Sequence, residues 1–133
     1  MIIACDFDGT CVTHEYPKIG KDIGAVKVLK KLVEAGHSLI LYTMRSDWGV
    51  KEGIYTSGLE DAINWFKENE IPLFGIQRNP TQDTWTRSPK CYAQLYIDDA
   101  ALGCPLKFDK SISDRPFVNW RKVENQLKKL GYL

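Results

Sequence analysis

The chain has almost no excess of either charge: 18 Lys and Arg stand against 17 Asp and Glu, a formal net of +1. Such a balance builds no broadly basic face, so neither nucleic acid nor a membrane surface is expected as a partner. No apolar run nears the roughly 20 residues of a membrane-crossing helix. The opening Met1-Ile2-Ile3-Ala4-Cys5-Asp6 lacks the basic region and long apolar stretch of an export signal, and a cytoplasmic location is expected. Cysteines are few: Cys5, Cys11, Cys91 and Cys104 form no C-x-x-C pair and have no zinc-finger spacing. Reduced, structural thiols are expected, with Cys5 and Cys91 buried in or beside apolar runs. Repeats, low-complexity tracts and Ser/Gly linkers are missing too, which points to one domain over residues 1–133.

What is present is an alternation of short apolar runs and helical periods. Ile2-Ile3-Ala4-Cys5 reads as a strand that stops at Asp6-Phe7-Asp8-Gly9-Thr10. Ile23, Val26, Leu29, Leu32 and Val33 fall at helical spacing near 22–35, and Gly36 is placed to end that helix. Residues 38–43 form a second strand, and a loop follows. Ser57-Gly58-Leu59-Glu60 has the pattern of a capping box opening a helix with Leu59, Ala62, Ile63 and Phe66 on one face. Leu73-Phe74-Gly75-Ile76 is a third strand, 77–90 an irregular loop, and 93–97 a fourth strand ending in Asp98-Asp99. Asn119 can cap a last helix carrying Trp120, Val123, Leu127 and Leu130, stopped by Gly131. Near-continuous apolar strands alternating with helices predict an α/β fold, a central parallel sheet covered on both faces in three Rossmann-like layers.

In such sheets ligands bind outside the carboxyl ends of the strands. Asp6, Asp8, Thr43, Asp98 and Asp99 all lie at expected strand C-termini, so the topology would gather them at one edge. Asp6 and Asp8 stand at i and i+2, where side chains of an extended chain share a face. Gly9 permits a sharp turn. Carboxylates brought together repel one another unless a cation joins them, and an all-oxygen set of this kind suits Mg²⁺. With the cation present, one Asp can attack phosphorus and a second can move the proton of the departing oxygen. A Thr hydroxyl and a Lys or Arg would receive the phosphoryl oxygens. Asp-x-Asp-Gly alone also describes a solvated turn; its ordered companions are what favour the chemical reading.

Asp6-Phe7-Asp8-Gly9-Thr10 resembles the D-x-D-G-T signature of the haloacid dehalogenase (HAD) superfamily of phosphohydrolases. Thr43 after the second strand, Lys90, and Ile97-Asp98-Asp99 follow in that family's order, over residues 1–99. The resemblance implies a Mg²⁺-dependent phosphatase acting on a phosphorylated small molecule or macromolecule. Asp6 would be nucleophile and metal ligand, and Asp8 general acid/base with its backbone carbonyl on the metal. Thr43 and Lys90 would bind phosphate, Asp98 would ligate the metal, and Asp99 would do so directly or through water. Lys90 stands closer to Asp98 than in many relatives, which makes Arg87 and Arg45 rivals for its role. The intervals between these motifs leave no room for a separate cap domain, so an open site is expected.

Two other functions remain open at this level. A phosphotransferase of the same fold would pass the phosphoryl group to an acceptor other than water. A receiver-like signalling module would hold its phosphate without turnover, although no lone Asp ends the third strand, where Phe74-Gly75-Ile76-Gln77 stands. Arg45 reads as a surface charge or ion pair, Arg78 and Arg87 as solvated loop residues, and Trp48, Tyr55 and Trp85 as packing under loops near the site. His14 and His37 have no metal-ligand spacing and receive no role. Trp120 is expected in the core.

Overall fold

The structure is a computed structural model that describes residues 1–47 and 57–133 in full and, between them, the backbone of 50–51 and 54–55. The elements run β1 (Ile2–Cys5), α1 (Ala25–Glu34), β2 (Ser38–Leu41), β3 (Val50–Lys51), β4 (Ile54–Tyr55), α2 (Gly58–Glu68), β5 (Gly75–Ile76), β6 (Leu95–Ile97), β7 (Leu106–Lys107), β8 (Phe117–Val118) and α3 (Trp120–Lys129). The central sheet is parallel with order β5-β2-β1-β6. Each strand thus ends at the same edge, with β1 in the interior beside both β2 and β6. No described helix is long and apolar enough to cross a membrane.

Period-two alternation divides the sheet's side chains. Ile3, Cys5, Leu39, Leu41 and Ile97 face one way and join the main core with Phe7, with Val28, Leu29 and Leu32 of α1, with Ala62, Trp65 and Phe66 of α2, and with Trp120, Val123 and Leu127 of α3. Trp120 is therefore core, as its spacing indicates. Ala4 and Ile40 face the other way, against Cys91, with Ile2, Tyr42, Ala93 and Tyr96 packed around them.

This second face corrects the expectation of helices on both sides. Strands β1, β2 and β5 step across the sheet in one direction, so right-handed crossovers put α1 and α2 on the same face. The crossover from β5 to β6 runs in the opposite direction and passes over the other face. It does so as the segment 77–93, whose only regular turn is the 3₁₀ turn Gln82–Thr84. Buried amides replace helix hydrogen bonds there: Gln82 donates to the Lys90 and Ser88 carbonyls and accepts from the Tyr92 N–H, and Asn79 donates to the Tyr92 carbonyl.

Helix ends also differ in detail from expectation. Asn119 caps α3 through the Lys122 N–H at 3.2 Å, as its position suggests. Helix α1 begins at Ala25, behind Gly24 with φ of 102°, somewhat later than the periodicity indicates. The capping box at Ser57 does not form. The Glu60 N–H that Ser57 would accept goes instead to the Asp47 carboxylate at 3.0 Å, and the Ser57 hydroxyl turns to Asp61. A more acidic acceptor from the preceding loop displaces the neutral one. Two short antiparallel pairs, β3 with β4 and β7 with β8, lie where no strand is legible from pattern.

Candidate metal and phosphate site

Three acidic residues meet at the carboxyl edge of the sheet. Carboxylate oxygens of Asp6, Asp98 and Asp99 all lie within 4.8 Å of one another. The ladder hydrogen bonds explain the meeting. The Asp6 N–H donates to the Ile97 carbonyl at 2.9 Å, fixing the residue after β1 against the end of β6. Asp98 and Asp99 leave β6 immediately beside it, although 89 positions separate Thr10 from Asp99 in sequence. On the other side the Tyr42 N–H donates to the Cys5 carbonyl at 2.8 Å, so Thr43 leaves β2 next to the Asp6-Phe7-Asp8 turn.

Thr10 organises the trio. Its buried hydroxyl lies 2.7 Å from Asp6 Oδ2 and 3.3 Å from Asp99 Oδ1, and it accepts the Asp99 N–H at 3.0 Å. Its carbonyl accepts the Trp120 indole N–H at 2.6 Å, which ties the site turn to the core. Gly9 makes the turn at φ of 78°. A Cβ there would fall 2.0 Å from His14 Nε2 and 2.5 Å from Asp99 Oδ2, so both backbone conformation and space demand glycine.

Burial and mutual repulsion both oppose the charged forms of Asp6 and Asp98. Burial, resisted by the Thr10 hydrogen bond and reinforced by Asp98, raises the Asp6 carboxyl from 3.8 to about 7. Burial likewise raises Asp98, with Asp99 adding to the effect. An oxygen-only set of three carboxylates, two of them driven toward protonation, is one that a hard divalent cation could hold together. Folded Asp6 binds its proton more tightly than the unfolded chain does, so metal-free stability falls as pH rises from near 3.8 through about 7. A cation competing with that proton binds better above this window. The rise in melting temperature on adding Mg²⁺ is therefore expected to be larger at pH 8 than at pH 6, by several degrees in differential scanning fluorimetry; an equal rise at both would oppose this assignment.

Asp8 is not in that trio. Its two carboxylate oxygens accept from Arg45 Nε at 2.7 Å and from an Nη at 2.8 Å. Arg45 is 2% exposed, which corrects its reading as a surface charge while keeping the ion pair. Its remaining donors reach the Pro17, Lys18 and Gly58 carbonyls, and its Cζ lies 5.1 Å from the Phe7 ring centroid and 5.0 Å from that of Tyr16. All five N–H groups are used. Arg45 thus has no donor to offer a phosphate and drops out as a rival to Lys90.

Thr43 accepts the Arg45 N–H on its hydroxyl at 3.1 Å, which leaves its O–H to donate elsewhere. Its backbone is held by Gln77, whose amide accepts from the Thr43 N–H and donates to the Thr43 and Arg45 carbonyls. Gln77 adopts φ of 64°, a conformation costly for a residue with a side chain and supported here by three hydrogen bonds. Lys90 is exposed on the second face of the sheet, its ammonium 6.0 Å from the ring centroid of Tyr96, two residues before Asp98. The structure places it outside the hydrogen-bonded cluster. Arg87 is exposed, and Arg78 pairs with Asp83. Trp85 is 62% exposed and packs edge-on against Tyr92. Trp48 and the Tyr55 side chain lie outside the described residues.

Two participants, His14 and Gln77, escape a sequence reading, and a third, Arg45, is marked there only as a charge near the site. His14 Nε2 stands 3.0 Å from Asp99 Oδ2, and nothing in its spacing marks it. Gln77 and the buried Arg45 act through partners more than 30 positions away. The cysteines agree with expectation: all four are free thiols, and Cys5 and Cys11 lie 3.7 Å apart behind Asp6.

No family model and no curated protein matches the sequence. Among solved structures, one described as that of a conserved protein of Bacteroides thetaiotaomicron is similar at 30% identity and a TM-score of 0.74. The alignment covers 97% of this chain and 90% of that one, so the α/β arrangement around the parallel sheet is shared.

Proposed function

We propose that this chain, which belongs to one family with the conserved Bacteroides thetaiotaomicron protein, is a Mg²⁺-dependent phosphomonoesterase of the HAD type. The observation that supports this best is the convergence of Asp6, Asp98 and Asp99 at the carboxyl edge, in the order and register of the D-x-D-G-T resemblance. Mg²⁺, held by Asp6, Asp98 and Asp99, would supply the positive charge that screens a carboxylate from an approaching phosphoryl group.

The chain's own groups divide the remaining work. Thr10 engages Asp6 Oδ2 and so leaves Oδ1 to attack phosphorus. The P–O bond to the leaving group breaks as the Asp6–phosphorus bond forms, and water then cleaves this acyl phosphate. The Thr43 hydroxyl donates to a phosphoryl oxygen, and Lys90 approaches from the second face to offset charge. Asp8 serves as acid and then base. Both its oxygens face Arg45, so one must leave that pairing, take a proton from solvent and pass it to the leaving oxygen; the carboxylate so formed then receives a proton from the attacking water.

Turnover of an aryl phosphate is the test. Release of p-nitrophenol in millimolar Mg²⁺ is expected to fall at least about 100-fold in excess chelator and to return on adding Mg²⁺ back, as for a cation supplying several kcal/mol of transition-state stabilisation. Turnover indifferent to chelator would overturn the reading, and a stable phosphoprotein without turnover would favour a signalling module.

A further inference from the structure

A polar cleft of about 440 Å³ opens beside the acidic trio, between the loop that follows β1 and the tip of the β7–β8 hairpin. His14 belongs to both places: it lines the cleft, and its Nε2 lies 3.0 Å from Asp99 Oδ2. The two walls are fastened together. The Val118 N–H donates to the Gly9 carbonyl at 3.0 Å at the base, and Lys21 Nζ donates to the Ile112 carbonyl at 3.1 Å across the opening.

Its charges run against those of the trio. Lys21, Lys110 and Arg115 line it against Glu15 and Asp114, and Glu15 accepts a hydrogen bond from Thr13 at 3.0 Å. Among the described residues, neither the Lys110 ammonium nor the Arg115 guanidinium has an ion-pair or hydrogen-bond partner. Two unpaired cations in a concave polar cleft, next to a site read as receiving one phosphoryl group, are placed to receive another anion. Arg115 offers a planar fork and Lys110 a point charge, a combination suited to a dianionic phosphate.

We infer that this cleft is an anion subsite and that the preferred substrate is a small molecule bearing two phosphoryl groups, one cleaved at Asp6 and the other held by Lys110 and Arg115. The assignment of the first group rests on the phosphatase reading; the binding of the second does not.

The test uses non-hydrolysable probes, so that binding and turnover separate. Titration calorimetry with Mg²⁺ present compares propane-1,3-bisphosphonate with propylphosphonate. The native protein is expected to bind the bisphosphonate at least about tenfold more tightly, the scale of one added charge-assisted contact. In the Lys110→Ala/Arg115→Ala double variant that preference should shrink to within about twofold, with propylphosphonate affinity unchanged. Equal affinities in the native protein, or a preference that survives the double variant, would overturn the subsite. If the preference behaves as expected but neither propyl phosphate nor propane-1,3-diyl bisphosphate is hydrolysed, the subsite stands and the phosphatase reading falls. Hydrolysis of propyl phosphate without any preference has the reverse meaning.

Discussion

Asp6→Asn is expected to reduce kcat/KM for an aryl phosphate by about 10⁴-fold or more, the scale seen when a covalent nucleophile is removed. The amide keeps the shape and can still accept from Thr10, so the fold should survive. It cannot form an acyl phosphate, and it removes one charge from the carboxylates proposed to hold Mg²⁺. Burial already drives Asp6 toward its neutral form in the absence of metal. The variant should therefore be at least as stable as the native protein in metal-free buffer, and it should lose most of the stabilisation that Mg²⁺ confers. Inactivity with unimpaired melting is the combined signature. A variant retaining a tenth or more of native turnover would exclude covalent catalysis at this residue.

Arg45→Met is expected to cost about 3–5 kcal/mol of unfolding free energy, the range for removing one partner of a buried ion pair. The apolar stem can be replaced, but five donors cannot. Asp8 would be left beside Phe7 without its partner, and the Pro17, Lys18 and Gly58 carbonyls would lose a donor. Asp8 is 19% exposed at its side chain, so water can reach it in part and the lower end of the range is expected. Arg45→Lys keeps the charge with three donors in place of a planar fork, and should fall between the two. Urea denaturation measures all three. A loss below about 1 kcal/mol for Arg45→Met would show that the pair contributes no more than an exposed one.

The trio of acidic residues was legible from sequence because two rules suffice for it. Apolar runs that end in Asp locate strand C-termini, and a parallel sheet brings those termini to one edge. Both are local or topological and need no side-chain partner. The two-faced division of the sheet was not legible, since it depends on strand order: β5-β2-β1-β6 puts α1 and α2 on one face and sends 77–93 across the other. Asp47 displacing Ser57 at the start of α2 shows the same limit at short range, a tertiary acceptor overriding a sound local pattern. Arg45, Gln77 and His14 belong to a third kind. Their roles come from side-chain contacts across the fold, with Asp8, Thr43 and Asp99; no spacing announces those of Gln77 and His14, while position marks Arg45 only as a charge near the site and not its partner. Asp8 illustrates the cost: the D-x-D spacing suggests two converging carboxylates, whereas the pairing with Arg45 turns the second one aside.

Calorimetric titration of Mg²⁺ into the phosphate-free protein at pH 8 tests the central arrangement most directly. One site per chain is expected in the native protein, weakened at least about tenfold in Asp98→Asn, which removes one ligand charge without touching the nucleophile. Absence of Mg²⁺ binding in the native protein, or binding undiminished in both Asp98→Asn and Asp6→Asn, would contradict it.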